Sequence, residues 1–179
     1  MIEVLVSILV LSIGVVGAAG MQLAAFRTTQ QSGYQTMALQ LAADIADAVR
    51  TNAMHVARGR DVLHFVDIDY RSSIDTDPPR PKLCYATPCG PAEFADFQLY
   101  EWKLRMKSAF PGARLRICRD SMPWDGVRRS FRWECNGGDS FAAPIVIKLG
   151  WPAKNPDGSP VGDADDAFPP GIVFPVGSA

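Results

Sequence analysis

The chain has 179 residues with a formal net charge of -1 at pH 7. This length fits one domain plus an anchoring segment. The near-neutral charge excludes a global basic field of the kind that attracts nucleic acid, so no nucleic-acid partner is expected. All four cysteines lie beyond residue 80. An even set of cysteines behind a membrane segment indicates two disulfides formed in an oxidising compartment.

Residues 1–26 are predicted to form a membrane-spanning helix. No charged residue occurs from Val4 to Phe26, between Glu3 and Arg27. About 20 apolar residues span a bilayer as a helix, whereas a secretory signal peptide has a shorter apolar region behind a basic segment. Glu3 is the unusual feature, because an acid at the start of a membrane helix is costly and by default suggests a function. The alternative is an acid that only reaches the lipid headgroups.

Three glycines, Gly14, Gly17 and Gly20, lie three residues apart inside the apolar run. Small residues let membrane helices approach one another closely, and they also make a helix easier to bend. Glycine is in any case frequent in membrane helices. Both interpretations, helix packing or flexibility and ordinary membrane glycine, are open.

The helix is predicted to continue over residues 27–55 as an amphipathic extension. This stretch contains no proline and a single glycine, Gly33. Apolar residues recur at three- and four-residue steps, the spacing of one helix face: Tyr34, Met37, Leu41, Ile45 and Val49, with Ala38, Ala42 and Ala48 beside them. One helix of roughly 50 residues is expected, because a single internal glycine costs only ~1 kcal/mol. A break near Gly33 is the alternative.

Residues 56–179 are predicted to form a globular head with a flexible C-terminal tail. A second helix is expected over residues 92–109, with one face formed by Phe94, Phe97, Tyr100 and Leu104. Apolar residues then alternate with a period of two, which predicts a three-strand antiparallel meander. The expected strands cover residues 114–118, 131–135 and 145–151, with a short strand over Val62–Ile68 and an edge strand over Gly171–Val176. The predicted fold class is α+β, a long N-terminal helix packed on a small antiparallel sheet.

Four cysteines allow three pairings. The expected pairs are a local bridge between Cys84 and Cys89, at a surface hairpin or a helix start, and a cross-strand bridge between Cys118 and Cys135. A zinc site is disfavoured, because the cysteines do not show the usual C-x₂-C spacing.

Other candidate sites are weaker. The acids Asp157, Asp163, Asp165 and Asp166 are a weak calcium candidate, but they fit no EF-hand loop and a solvated loop is preferred. His55 and His64 lie in no ligand pattern, and neither a catalytic constellation nor a cofactor motif occurs, so no enzyme activity and no cofactor are expected. A basic cluster is interpreted as a solvated sheet face: Arg114, Arg116, Arg119, Arg128, Arg129 and Arg132.

The start of the chain resembles the type IV pilins. Their class III signal reads G-[F/M]-(S/T)-(L/M)-I-E and is cut after the glycine, and Met1-Ile2-Glu3-Val4-Leu5 is similar to the stretch that begins two residues after that cut. Three later segments are similar to the family of minor pilins called type IV pilus modification proteins (PilV). They are D-F-Q-L-Y-E-W-K-L-R-M-K-S-A-F-P-G-A, the strand carrying I-C, and I-V-I-K-L-G-W.

The resemblance implies a pilin-like fold and a non-enzymatic subunit that helps to start type IV pilus assembly in a tip complex with other minor pilins. It implies the major pilin, the pilus assembly machinery and the inner membrane as further partners. Glu3 would match the glutamate that meets the N-terminal amine of a neighbouring subunit. The head would lie in the periplasm and later in the fibre at the cell surface, with methylation, cell adhesion and twitching motility as associated properties.

The leader that prepilin peptidase removes in this family, with its basic residues and glycine, does not precede Met1 in this sequence. The peptidase is therefore expected to act on a longer form of the chain. Two alternatives remain: a minor pseudopilin of a type II secretion system, and a membrane-tethered periplasmic binding domain or enzyme.

Overall fold

The computed structural model describes residues 2–56, 65–73, 80–137, 142–152 and 168–176, without the side chains of 53–56. It has the predicted α+β layout of a long N-terminal helix and a small antiparallel sheet. Two compact units divide the chain, Met1–Met37 and Ala38–Ala179. The elements in chain order are α1 (Ile2–Val56), β1 (Ile68–Arg71), α2 (Pro91–Ala109), β2 (Arg114–Arg119), β3 (Trp124–Asp125), β4 (Ser130–Phe131), β5 (Ile145–Gly150) and β6 (Ile172–Val176).

The N-terminal helix α1 runs without a break from Ile2 to Val56. Gly33 lies inside it, so the prediction of one continuous helix is confirmed and the alternative break is wrong. The reason is energetic, because an isolated glycine weakens a helix by ~1 kcal/mol whereas proline, absent here, would interrupt its hydrogen bonds.

The buried face of α1 begins at Ala38. Ala38, Ala42 and Ala46 are fully buried at four-residue spacing, with Leu41, Ile45 and Val49 buried beside them. Small side chains let the neighbouring elements approach the helix backbone closely. The predicted stripe was wrong in its first turns, because Tyr34 and Met37 are each 46% exposed.

Helix α2 begins and ends at the residues that its sequence indicates. Gly90 is the N-cap and Pro91 the first helical residue, and the backbone N–H of Gly90 donates to Oε2 of Glu93 at 2.9 Å. The helix ends before Pro111-Gly112. Gly112 has a φ of +80°, which favours glycine because other residues are strained there.

The face of α2 that enters the core is not the one predicted. Ala95, Trp102 and Met106 are the buried residues of α2, whereas Phe94 is 46% exposed. The aromatic face of Phe94, Phe97, Tyr100 and Leu104 is therefore only partly covered. Trp102 decides the orientation, since its Nε1 donates to the carbonyl oxygen of Leu41 at 2.7 Å and so ties α2 to α1. A buried indole N–H needs such an acceptor.

The sheet has the order β1-β2-β5-β6, with every pair antiparallel. Its core face carries Leu115, Ile117, Ile147 and Leu149, which are all fully buried in one cluster with the packed faces of α1 and α2. The predicted edge strand is confirmed as β6. Strand β1 begins only at Ile68, because residues 65–67 form a turn and bend; positions 62–64 of the predicted strand lie outside the described residues.

The predicted three-strand meander is wrong. Strand β5 pairs directly with β2, and the residues expected to form the middle strand leave the sheet. Of the predicted strand 131–135, only Phe131 is in a strand, in the separate two-stranded ribbon of β3 and β4. The reason lies in β5, where Nζ of Lys148 binds the carbonyl oxygens of Arg132 and Glu134 at 2.9 and 2.6 Å. These carbonyls cover the sheet instead of extending it.

The second face of the sheet is covered, which corrects the interpretation of a solvated face for Arg114 and Arg116, whereas Arg128 and Arg129 are exposed. Arg114 is 9% exposed and its guanidinium lies 4.6 Å from the ring centre of Trp133. Asp69 accepts from Nε of Arg114 at 2.9 Å and from Nη1 of Arg116 at 2.8 Å. Both arginines therefore belong to a partly buried ion-pair network.

Replacing Trp102 with Phe should lower the free energy of unfolding by about 1 to 3 kcal/mol. The change removes the hydrogen bond to Leu41 and leaves unfilled space in the core. Denaturant unfolding of the detergent-solubilised chain measures it, with Tyr85→Phe, at a 72% exposed position, as the control. Equal unfolding midpoints for Trp102→Phe and the unsubstituted chain would contradict this role.

The head should lose stability in acid partly through Asp69. The hydrogen bond from Arg114 is the main cause that lowers the pKa of Asp69 below its ordinary value of 3.8. A carboxyl with a lowered folded pKa stabilises the protein fully above 3.8, and the contribution is lost as the pH falls through the folded pKa. Asp69→Asn should therefore cost stability near neutral pH, modestly because the side chain is 34% exposed. The cost should shrink below about pH 4, and a cost that stays constant with pH would refute this.

Candidate functional site: the apolar half of the N-terminal helix

The described side chains of the first unit are exposed, and those up to Phe26 are largely apolar. Every side chain from residue 2 to residue 37 is exposed, and its large apolar residues include Ile2 at 78% and Val6 at 52% exposure. A contiguous apolar surface of this extent marks contact with a membrane or a partner. The uncharged run from Val4 to Phe26 is about 34 Å long at 1.5 Å per residue, which matches a hydrocarbon layer of ~30 Å. Within Ile2–Asn52 the helix is long and apolar enough to cross a membrane.

The hydroxyl groups in this half are satisfied by the helix itself. Ser7 donates to the carbonyl oxygen of Glu3 at 2.8 Å, and Ser12 donates to that of Ile8 at 2.7 Å. Thr28 and Thr29 make the same bond to the carbonyl four residues earlier. An unsatisfied polar group in hydrocarbon costs several kcal/mol, so these bonds suit the segment to an apolar medium.

Glu3 is the acid in the first turn of α1. The N-terminal end of a helix carries the positive end of its dipole, which favours a carboxylate by about 0.3 to 1 kcal/mol at an exposed position. That is less than the roughly 2.5 to 3.5 kcal/mol that an acid costs at the centre of a membrane helix. The dipole alone therefore does not offset burial of this charge in lipid.

The three glycines face open space. A Cβ atom added at Gly14, Gly17 or Gly20 would meet nothing within 4 Å. No turn and no close approach among the described residues requires glycine at these positions. Any constraint on them comes from a neighbouring molecule or from flexibility of the helix.

The structure joins the cysteines in two disulfides. Cys84 and Cys89, with Cα atoms 5.4 Å apart, close a loop that ends beside the N-cap of α2, at a helix start rather than a hairpin. Cys118 and Cys135 have Cα atoms 6.2 Å apart. This bridge links the end of β2 to the covering segment, not to a neighbouring strand as expected. With all four sulfurs bonded, no thiolate remains to bind zinc.

The remaining candidates lie mostly outside the described residues. This holds for the calcium candidates Asp157, Asp163, Asp165 and Asp166, for His64, and for the side chain of His55. Within the described ranges, no group of three or more His, Cys, Asp or Glu side chains could hold a metal ion.

A buried ion pair in the head was missed from the sequence. Nζ of Lys148 donates to Oδ2 of Asp120 and to two backbone carbonyls, and both side chains are 0% exposed. Desolvation lowers the pKa of Lys148, and the hydrogen bond to Asp120 opposes that shift. The signal in the sequence is a single lysine in the apolar run I-V-I-K-L-G. The three acceptors satisfy the ammonium, which indicates a structural role.

No protein-family model, curated protein or solved structure matches this chain.

Replacing Gly17 with Ala should leave the head folded. The added methyl group meets no atom within 4 Å, and alanine favours a helix over glycine by up to about 1 kcal/mol. The unfolding midpoint of the head, measured in detergent, should stay the same. A shifted midpoint would show a contact that the structure does not contain. The variant Gly17→Leu then distinguishes helix packing from ordinary membrane glycine. If Gly17 packs against another helix, Gly17→Leu should reduce the amount of other membrane subunits captured with the chain, because only packing requires a small side chain.

Proposed function

We propose that this chain is a membrane-anchored, non-enzymatic subunit of the pilin type, a minor pilin similar to the type IV pilus modification protein PilV. It takes part in starting pilus assembly, in a tip complex with other minor pilins and in contact with the major pilin. One observation carries the proposal. An acid occupies the first turn of an exposed apolar helix, and that helix continues unbroken into the alanine-lined core of a disulfide-bonded head.

Glu3 is proposed to set the axial position of the subunit in the assembly. A carboxylate in a low-dielectric medium is stabilised chiefly by an opposite charge. The free N-terminal amine of a neighbouring helix would supply that charge at the same membrane depth. Any other axial register would leave both charges unpaired, so the pair favours one arrangement of the helices.

The apolar helix and the two disulfides support a location in the inner membrane with the head in the periplasm. The apolar helix supports a single pass through the inner membrane, and two disulfides support a head in the oxidising periplasm. The subunit then passes into the fibre at the cell surface through the pilus assembly machinery.

Glu3→Gln should reduce incorporation into pili at least about tenfold, the factor that 1.4 kcal/mol of lost pairing energy produces. Gln keeps the size of the side chain and removes the charge. The measurement is the amount of this subunit in sheared surface pili relative to the amount in membranes. The matched control is Asp47→Asn, which removes one acid from the same helix at an exposed position beyond the apolar run.

The head should remain folded in both variants, which non-reducing electrophoresis and unfolding in detergent check. Normal incorporation of Glu3→Gln would reject the pairing role. Normal pili combined with impaired protein secretion would reject the pilus role in favour of a secretion pseudopilin.

A further inference from the structure

The ribbon of β3 and β4 ends in a tightly organised turn. Trp124 pairs with Phe131 and Asp125 with Ser130. The two rings meet edge to face, with centres 5.1 Å apart. Oδ1 of Asp125 accepts the backbone N–H groups of Val127 and Arg128 at 2.9 and 3.0 Å. The turn is thus held by its own side chains.

The base of the ribbon is fastened to the sheet. Arg132 donates through Nε to the carbonyl oxygen of Met122 at 2.8 Å, which ties the two arms together. The disulfide of Cys118 and Cys135 connects the segment to β2. At the base of the ribbon the backbone of Gly137 packs closely against that of Arg119. A side chain would not fit there, because a Cβ atom would lie 2.4 Å from the carbonyl oxygen of Arg119. The ribbon is therefore fastened to the head at its base.

The ribbon exposes apolar and basic groups together. Val127 is 94% exposed, Met122 60% and Trp124 50%. Arg128 and Arg129 follow Val127 in the turn and are exposed as well. The exposed parts of these apolar side chains do not contribute to the core. Their clustering on one ribbon indicates contact with another molecule or a membrane.

We propose that this ribbon binds the surface of an anionic lipid bilayer. Val127 and Trp124 would enter the interface, where tryptophan is enriched, and Arg128 and Arg129 would meet the phosphate groups. Asp125 is the one acid in the turn, and its carboxylate is directed to backbone N–H groups of that turn. The two arginines outweigh this acid, so the turn is complementary to a negatively charged surface.

The exposure pattern favours a bilayer over a macromolecular partner. Protein interfaces place apolar residues in a closely packed centre with a polar rim, whereas here the apolar side chain of Val127 is 94% exposed and lies in the turn itself. Proteins that bind single-stranded nucleic acid line a basic groove with stacking rings. Trp124 instead packs against Phe131 of the same two-stranded ribbon. The proposal does not depend on the pilin assignment.

Vesicle tethering by the full chain tests the proposal. The chain is reconstituted into phosphatidylcholine vesicles and mixed with separate fluorescent vesicles, either of phosphatidylcholine alone or containing phosphatidylglycerol. We expect co-flotation only with the phosphatidylglycerol vesicles, and less of it as salt is added, because salt screens exposed charges. The double variant Arg128→Ala/Arg129→Ala should reduce tethering at least about tenfold. Val127→Asp should abolish it.

Two control variants keep the test specific. Arg50→Ala removes an exposed arginine of helix α1, and Tyr85→Asp adds an acid at another exposed ring; both should tether like the unsubstituted chain. Equal tethering to neutral vesicles, or tethering that survives Val127→Asp, would overturn the proposal. Binding of a single-stranded DNA oligonucleotide or of polyglutamate, without binding to phosphatidylglycerol vesicles, would overturn it in favour of a macromolecular partner.

Discussion

The structure depends on the unbroken helix α1, whose backbone groups form hydrogen bonds within the helix both where its side chains are exposed and where one face is buried. Up to Met37 the side chains of α1 are exposed and largely apolar, and from Ala38 one face is buried in the core. Because α1 is unbroken, its backbone groups are paired along its length, which is what an apolar medium requires. The alanines of the second part let α2 and the sheet approach, and Trp102 fixes α2 against the backbone of α1.

The second face of the sheet combines buried charges with apolar side chains such as Val146 and Trp133. Lys148, fully buried in β5, holds Asp120 and two carbonyls of the covering segment. Removing one partner of such a pair leaves an uncompensated buried charge, which costs about 3 to 5 kcal/mol. The same segment places Trp133 over Arg114 and carries the β3–β4 ribbon. The segment that carries the ribbon is therefore held to the sheet by this ionic network.

Periodicity in the sequence was enough to predict the long helix, α2, the edge strand and the overall α+β layout. These elements follow from local hydrogen bonding and from apolar spacing. Periodicity failed where both faces of an element are covered. Residues 131–135 alternate like a strand, yet Lys148 takes two of their carbonyls. Arg114 and Arg116 alternate like a solvated face, yet Asp69 and Trp133 cover them.

The aromatic face of α2 shows the same limit for a helix. Phe94, Phe97, Tyr100 and Leu104 have the spacing of a buried face, but the core contains Ala95, Trp102 and Met106 instead. The burial of one indole, with a hydrogen bond to a backbone carbonyl of α1, decided between the two faces. Spacing alone does not contain that choice, because it depends on an acceptor 61 residues away in the chain.

Lys148 is a charge buried inside the head, and Glu3 is a charge that a membrane would surround with lipid. Lys148 has a carboxylate and two carbonyls as partners inside the head, so its charge is satisfied before any assembly. Glu3 lies in a helical segment whose described side chains are all exposed, and the helix dipole favours its charge there. In lipid, a stronger partner for Glu3 would come from a neighbouring molecule. An internally satisfied charge stabilises a fold, whereas a charge that needs a neighbour makes association selective, and this difference supports the assembly role proposed for Glu3.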